Sequence, residues 1–239
     1  MKRYLLAFLL ACCCAFSLYA GDLQEAEQYY REGRFAAALG AYENLLKNYP
    51  NDPHLYYNIG NCYFKMGSRG LAIANYYRAF RLAPRDTDIR HNLTLSLEAA
   101  GERFVPAGMP VILHKAFFSL TILELKGLTI LSLLLFCVLA GFWLCKRKAG
   151  WLVCISLAVL LLMSGWYFCR DHADAVSLAV VAAPTAELRS GPGNNFPASA
   201  NVAQGHLLVV LDSKDHWDEV IIKSQAIKGW IAANDLEKI

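Results

Sequence analysis

Two stretches constrain this chain more than any other: Gly127–Cys145 (GLTILSLLLFCVLAGFWLC) and Trp151–Cys169 (WLVCISLAVLLLMSGWYFC). Neither contains a charged residue. At a rise of roughly 1.5 Å per residue, nineteen residues of helix span about 28 Å, close to the hydrocarbon thickness of a bilayer. Backbone polar groups in lipid must be satisfied within the segment, so both stretches are expected as transmembrane helices, 127–145 and 151–169. Between them, 146–150 reads KRKAG, a tight turn with three positive charges. Short basic loops stay cytoplasmic, so this turn is expected in the cytoplasm and both outer ends of the hairpin on the opposite side. Trp143, Trp151, Trp166 and Tyr167 lie near the ends of the stretches, where amphipathic rings favour the membrane interface.

The 56% apolar content of the 239 residues owes much to these spans, leaving flanks of ordinary composition. A net charge of +3, shared with the basic turn, carries no nucleic-acid footprint, which would need basic residues clustered on one face. Of the eight cysteines, Cys12, Cys13 and Cys14 fall in an N-terminal apolar run and four fall in the spans. Only Cys62 remains for the soluble parts, so no disulfide framework holds them together. Cys62 reads as a small buried helix-packing residue.

In chain order, 1–20 reads as a secretory signal peptide: Lys2-Arg3, an apolar core, then Leu18-Tyr19-Ala20 before Gly21. Cleavage and retention as an anchor both leave Gly21 outside. Residues 21–103 carry a 34-residue repeat. Tyr29, Gly33, Ala38, Tyr42 and Pro50 fall on Tyr63, Gly67, Ala72, Tyr76 and Pro84. Each unit reads as helix, glycine turn, helix and proline stop. These units resemble tetratricopeptide (TPR) repeats, the second at Tyr56, Ile59, Gly60, Tyr63, Gly67, Ala72, Tyr76, Ala79 and Pro84. Asp86–Gly101 is expected as a capping helix. Two repeats and a cap make a short solenoid, because each unit buries its apolar face only against a neighbour. Marginal stability, or support from a partner, is the expectation.

Residues 104–126 form a connector. Two readings stand for it: an interfacial amphipathic helix, or an extension of the first span from Phe117. After a polar exit at Arg170–Asp174, residues 175–239 turn to short alternating strands, expected at Ala186–Arg189, Leu207–Leu211, Trp217–Ile222 and Gly229–Ile231. The order Leu-Arg-Ser-Gly-Pro-Gly, Gly205, Trp217, then Gly229-Trp230-Ile231 resembles bacterial SH3-like domains, which implies a small β-barrel closed near Leu236. The expected fold class is thus a multidomain membrane protein: an all-α TPR solenoid, a two-helix transmembrane hairpin and a small all-β SH3-like barrel.

Catalytic patterns are missing from the sequence. The six histidines are dispersed, no Cys/His spacing suits zinc, and Gly191-Pro192-Gly193 is followed by no Lys-Ser/Thr of a phosphate loop. No enzyme activity, metal or cofactor is expected. Binding surfaces are the better candidates. The TPR resemblance implies a groove lined by Tyr57, Asn58, Asn61, Phe64 and Lys65, with Tyr30 and Arg31 from the first helix and His91 and Asn92 from the cap. Asn92 stands where a basic clamp residue is usual. Arg69, Arg78, Arg81, Arg85 and Arg90 form a basic cluster, read either as a mixed-charge surface or as a dock for an acidic partner or lipid headgroups. In the SH3-like part, Arg189, Asn194, Asn195, Trp217 and Trp230 are where a peptide or wall ligand would meet the barrel. For the two tryptophans, core or rim packing is the first reading.

The whole layout resembles the E-type components of bacterial aerotolerance (Bat) operons. That resemblance implies an inner-membrane protein with extracytoplasmic (periplasmic) TPR and SH3-like modules, associated with oxidative or envelope stress. It implies other envelope proteins as partners, von Willebrand-type membrane proteins among them. The expected role is a non-enzymatic scaffold. The alternative is a sensor of peptidoglycan peptides, acting through the SH3-like part.

Overall fold

The computed structural model describes residues 21–106, 108–222 and 227–239, so the signal-peptide reading of 1–20 lies outside the described residues. Among the described residues five helices come first: α1 (described over 21–31), α2 (Phe35–Asn48), α3 (Pro53–Lys65), α4 (Arg69–Leu82) and α5 (Thr87–Ala99). Their 34-residue period holds at the level of single hydrogen bonds. The Arg34 amide donates to the Tyr29 carbonyl and the Ser68 amide to Tyr63, both at 2.9 Å. Gly33, Gly67 and Gly101 occupy the same turn with φ of 76°, 82° and 78°, a left-handed conformation that glycine adopts without cost. Asp52 and Asp86, also 34 apart, cap α3 and α5 by accepting from backbone amides two or three residues on. Ala38, Ala72, Tyr42 and Tyr76 are buried at equivalent places between helices.

The C-terminal part forms seven antiparallel strands: β1 (Leu178–Val181), β2 (Thr185–Arg189), β3 (Ala198–Ala203), β4 (Leu207–Lys214), β5 (Trp217–Ile222), β6 (Ile227–Ala232) and β7 (Leu236–Lys238). The sheet order is β3-β2-β6-β5-β4-β1-β7. Among the described residues β3 and β7 are edges and do not pair with each other, so the sheet is not closed. Leu236 accordingly begins an edge strand against Val181 rather than closing a barrel. Its neighbour Lys238 ties that edge inward, donating to the buried Asp218 carboxylate at 2.9 Å. Ala186, Leu188, Leu208, Val220, Ile222 and Ile231 make the core.

Repeats and sheet form one compact unit, Met1–Phe104 with Leu178–Ile239, although the chain leaves it for seventy-odd residues between. The sheet docks on α4. A Cβ at Gly70 would collide with the Val181 carbonyl, and one at Gly205 would meet Ala100 Cβ at 2.9 Å and Ile73 Cδ1 at 3.1 Å. Arg78 donates to Glu237 and to the Lys238 carbonyl, the Arg69 amide to Gln204 Oε1 at 3.3 Å, and His206 Nδ1 lies 2.8 Å from Glu102 Oε1. The chain's own sheet thus packs against the last repeat and the cap.

Val105–Ser177 is a second unit. It holds α6 (Val111–Phe117), α7 (Ile122–Lys146) and α8 (Gly150–Asp174). The last two are long and apolar enough to cross a membrane. Both exceed the charge-free stretches. α7 starts at a capping box in which Thr121 and Glu124 exchange hydrogen bonds, and the polar exit Arg170–Asp174 is still helical, closing α8. In the connector, α6 is a separate short helix, and α7 begins at Ile122, five residues before Gly127. Small side chains line the α7–α8 seam: Ser132 and Ser156 are buried, and Thr129 Oγ1 lies 3.4 Å from the Met163 carbonyl.

Candidate functional site

The first helices of successive repeats lie side by side, and one face of α1, α3 and α5 encloses a cavity of about 310 Å³ with Tyr76 of α4 at its floor. Tyr30, Tyr57, Asn61, Phe64, Lys65 and Asn92 line it, together with Leu95 and Ser96. Arg31, Asn58 and His91 do not. Helical geometry explains the division. Tyr57, Asn61, Phe64 and Lys65 recur at intervals of three and four, so they share a face, whereas Asn58 is turned by about 100° from Tyr57. Arg31 beside Tyr30 and His91 beside Asn92 are displaced in the same way. Arg31 instead pairs along its own helix with Glu27 at 3.5 Å. Leu95 and Ser96 were legible by the same spacing, three and four residues beyond Asn92.

The floor is a polar network. Asn61 Oδ1 accepts from Tyr76 OH at 2.7 Å and from Asn92 Nδ2 at 3.2 Å, and Asn92 Nδ2 also donates to Tyr57 OH at 3.0 Å. Asn92 thus braces the groove from the position where a basic clamp is usual. Burial, reinforced by the neighbouring Tyr57 and Tyr30 hydroxyls, pushes the Tyr76 phenol well above its ordinary range, so it stays protonated and donates. Tyr30 is raised too, chiefly by burial. Above the floor, Phe64 and Leu95 are about half exposed, at 48% and 50%, and Lys65 is exposed beside them. Such a surface suits an extended peptide that offers an apolar side chain and an anion. Behind it Cys62 is fully buried, its thiol pushed up to about 12 by burial and by Glu43.

Two arginines of the basic cluster are engaged within the protein. Arg78 is spent on Glu237 and the Lys238 carbonyl. Arg90, lowered in pKa by burial, lies over the rings of Phe80 and Phe104 at 5.6 and 5.5 Å.

On the sheet, Arg189, Asn194, Trp217 and Trp230 come together. Strand alternation turns Asp218, Val220 and Ile231 inward, so Trp217 and Trp230 stand half-buried on the opposite face rather than in the core. Arg189 pairs in register with Trp230, and its guanidinium lies 6.0 Å from the Trp217 ring. It also donates to the Asn194 and Phe196 carbonyls at 3.1 and 2.6 Å, pinning the 190–197 loop beside the tryptophans. Asn194 joins through its backbone, while the Asn195 side chain folds back against Gly193. Among the described residues no group of three or more His, Cys, Asp or Glu gathers to hold a metal ion.

A family model described as tetratricopeptide repeat matches residues 53–86, which hold α3 and α4 and run on to Asp86, the cap of α5. A comparison with curated proteins finds no match. The repeat points to a role in protein–protein interaction.

Proposed function

We propose that this chain is a non-enzymatic adaptor of the bacterial envelope, held in the inner membrane by the α7–α8 hairpin, whose repeat groove binds a segment of a partner protein. The cavity lined by Tyr57, Asn61, Phe64, Lys65 and Asn92 carries the reading. Because the repeats and the sheet come from opposite ends of the hairpin and pack as one unit, both ends belong on one membrane face. The three cations of 146–148 argue for the cytoplasm on the other face. The likeness in layout to aerotolerance-operon E-type proteins supports a role in oxidative or envelope stress, with von Willebrand-type membrane proteins as the partner class. The SH3-like reading of the sheet rests on its glycine and tryptophan order.

A photoreactive residue replacing Phe64 in native membranes tests the adaptor reading. A discrete protein adduct that Lys65→Glu abolishes and Arg31→Ala leaves intact is expected. No adduct, or one equally sensitive to Arg31→Ala, would sink it. The grouping of Arg189, Trp217 and Trp230 favours one alternative, recognition of peptidoglycan peptides. Retention of the full chain on isolated sacculi, lost in Trp230→Ala, would move the function there.

A further inference from the structure

The segment before α7 has two unlike faces. His114 is buried, and its ring lies 4.7 Å from that of Phe118. Phe117 and Phe118 turn toward α8: the Phe117 carbonyl accepts from Trp166 Nε1 at 3.2 Å, and the buried Arg170 guanidinium stacks 4.3 Å from the Phe118 ring. Facing away, Val111, Ile112 and Leu113 are 54%, 78% and 60% exposed, and Met109 is 43% exposed. No acidic residue occurs in α6, and Lys115 is exposed.

The contacts fix the level of this apolar face along the hairpin. Trp166 lies in the last turn of a charge-free stretch that ends at Cys169, and Arg170 is the first charge beyond it. α6 is therefore tied to the boundary between apolar helix and charged helix end. At 25 residues, α7 and α8 are each about 37 Å long, against about 30 Å of hydrocarbon. Their terminal turns thus stand in the headgroup layer. At the exit from α6 the Ser119 amide and hydroxyl both donate to the Ala116 carbonyl, at 3.2 and 2.8 Å.

We infer that α6 lies in the plane of the membrane interface, with Val111, Ile112 and Leu113 immersed in the upper acyl chains and Lys115 at the phosphate level. This rests on the membrane reading of α7 and α8. The hairpin thereby acquires a third point of lipid contact, a short helix running along the surface, clamped to α8 by Trp166 and Arg170.

The test uses the full chain in vesicles of phosphatidylethanolamine and phosphatidylglycerol, with a fluorescent amino acid in place of Ile112 or, as a reference for the span, Leu134. Lipids brominated near the headgroup end of the acyl chain should quench position 112 by about twofold while aqueous iodide leaves it unchanged, as expected for a helix seated at the acyl boundary. Position 134 should answer to lipids brominated at the chain end. If iodide quenches 112 while lipid quenches 134, the interfacial helix is overturned and the span survives. If iodide quenches both, both readings fall. A probe at 112 shielded from lipid and iodide alike would mean that protein covers α6, which also overturns the inference.

Discussion

In α4, protein is met on nearly every side. Gly70, the run Ala72–Tyr76, Ala79 and Phe80 are all buried, although the helix also carries three arginines and an asparagine. In α7, far more apolar, only Leu125 and Ser132 are buried, and Leu131, Leu133, Leu134, Leu135 and Val138 stand exposed. Apolarity and burial thus run in opposite directions in the two helices. Small residues at the crossings let α3, α5 and the sheet approach α4 closely, so modest side chains suffice. α7 has α8 as its main neighbour, and its leucines face the surroundings, which a bilayer accepts and water does not.

The hardest way to break this contrast is to truncate one apolar side chain in each helix. Phe80→Ala should cost about 3–5 kcal/mol, by loss of transfer energy and creation of a cavity. Leu134→Ala, at an exposed site, should cost about 1 kcal/mol or less when the side chain faces detergent or lipid. Denaturant melts of the full chain in detergent check both, and equal losses would erase the distinction. Next in size is Gly70→Val, which forces a branched side chain against the Val181 carbonyl. A loss of about 1–3 kcal/mol is expected, with faster hydrogen exchange in β1. Unchanged exchange there would mean that α4 and the sheet do not depend on close approach.

The smallest effect is the response to pH. Burial raises the Cys62 thiol from 9.0 to about 12, so above pH 9 the unfolded chain releases a proton that the folded chain retains. Stability contributed by the neutral thiol is full below pH 9 and declines as pH rises toward about 12. The raised phenols of Tyr42 and Tyr76 act in the same direction from their ordinary 10.0 upward. Melts between pH 8 and pH 10 should show falling stability whose first part disappears in Cys62→Ala. A slope that the substitution leaves unchanged would exclude Cys62 as its source.

Much of this architecture was legible in the residues, and what escaped has a common cause. The repeat could be read because Tyr, Gly, Ala and Pro each do a different mechanical job at a fixed interval, and β5 because Trp217–Ile222 alternates cleanly. β3 reads Ala-Ser-Ala-Asn-Val-Ala, nearly without the branched and aromatic residues that announce a strand, and it forms because β2 offers it partners. β1 reads Leu-Ala-Val-Val, with no polar alternation to mark it as a strand. The docking of the sheet on α4 is carried by Gly70, Gly205 and pairs such as His206 with Glu102, 104 residues apart. Contacts made by absent side chains or across such separations leave no periodic trace. In the groove, the residues carried over from the repeat resemblance include Tyr57, Asn61, Phe64 and Lys65, which share the cavity face, and Arg31, Asn58 and His91, which stand one residue off it.

The ion pair of Arg78 with Glu237, 159 residues along the chain, bears on time as well as stability. During synthesis the last turn of α4 is complete nearly a hundred residues before β1 begins, an interval on the order of ten seconds at ordinary elongation rates. Throughout it the surface that will receive the sheet is bare, and contacts of such long range are the slowest to close. Maturation of the repeats is therefore timed by delivery of the C-terminus, and a chain stalled within the hairpin presents α4 uncovered to whatever quality-control factors patrol nascent proteins.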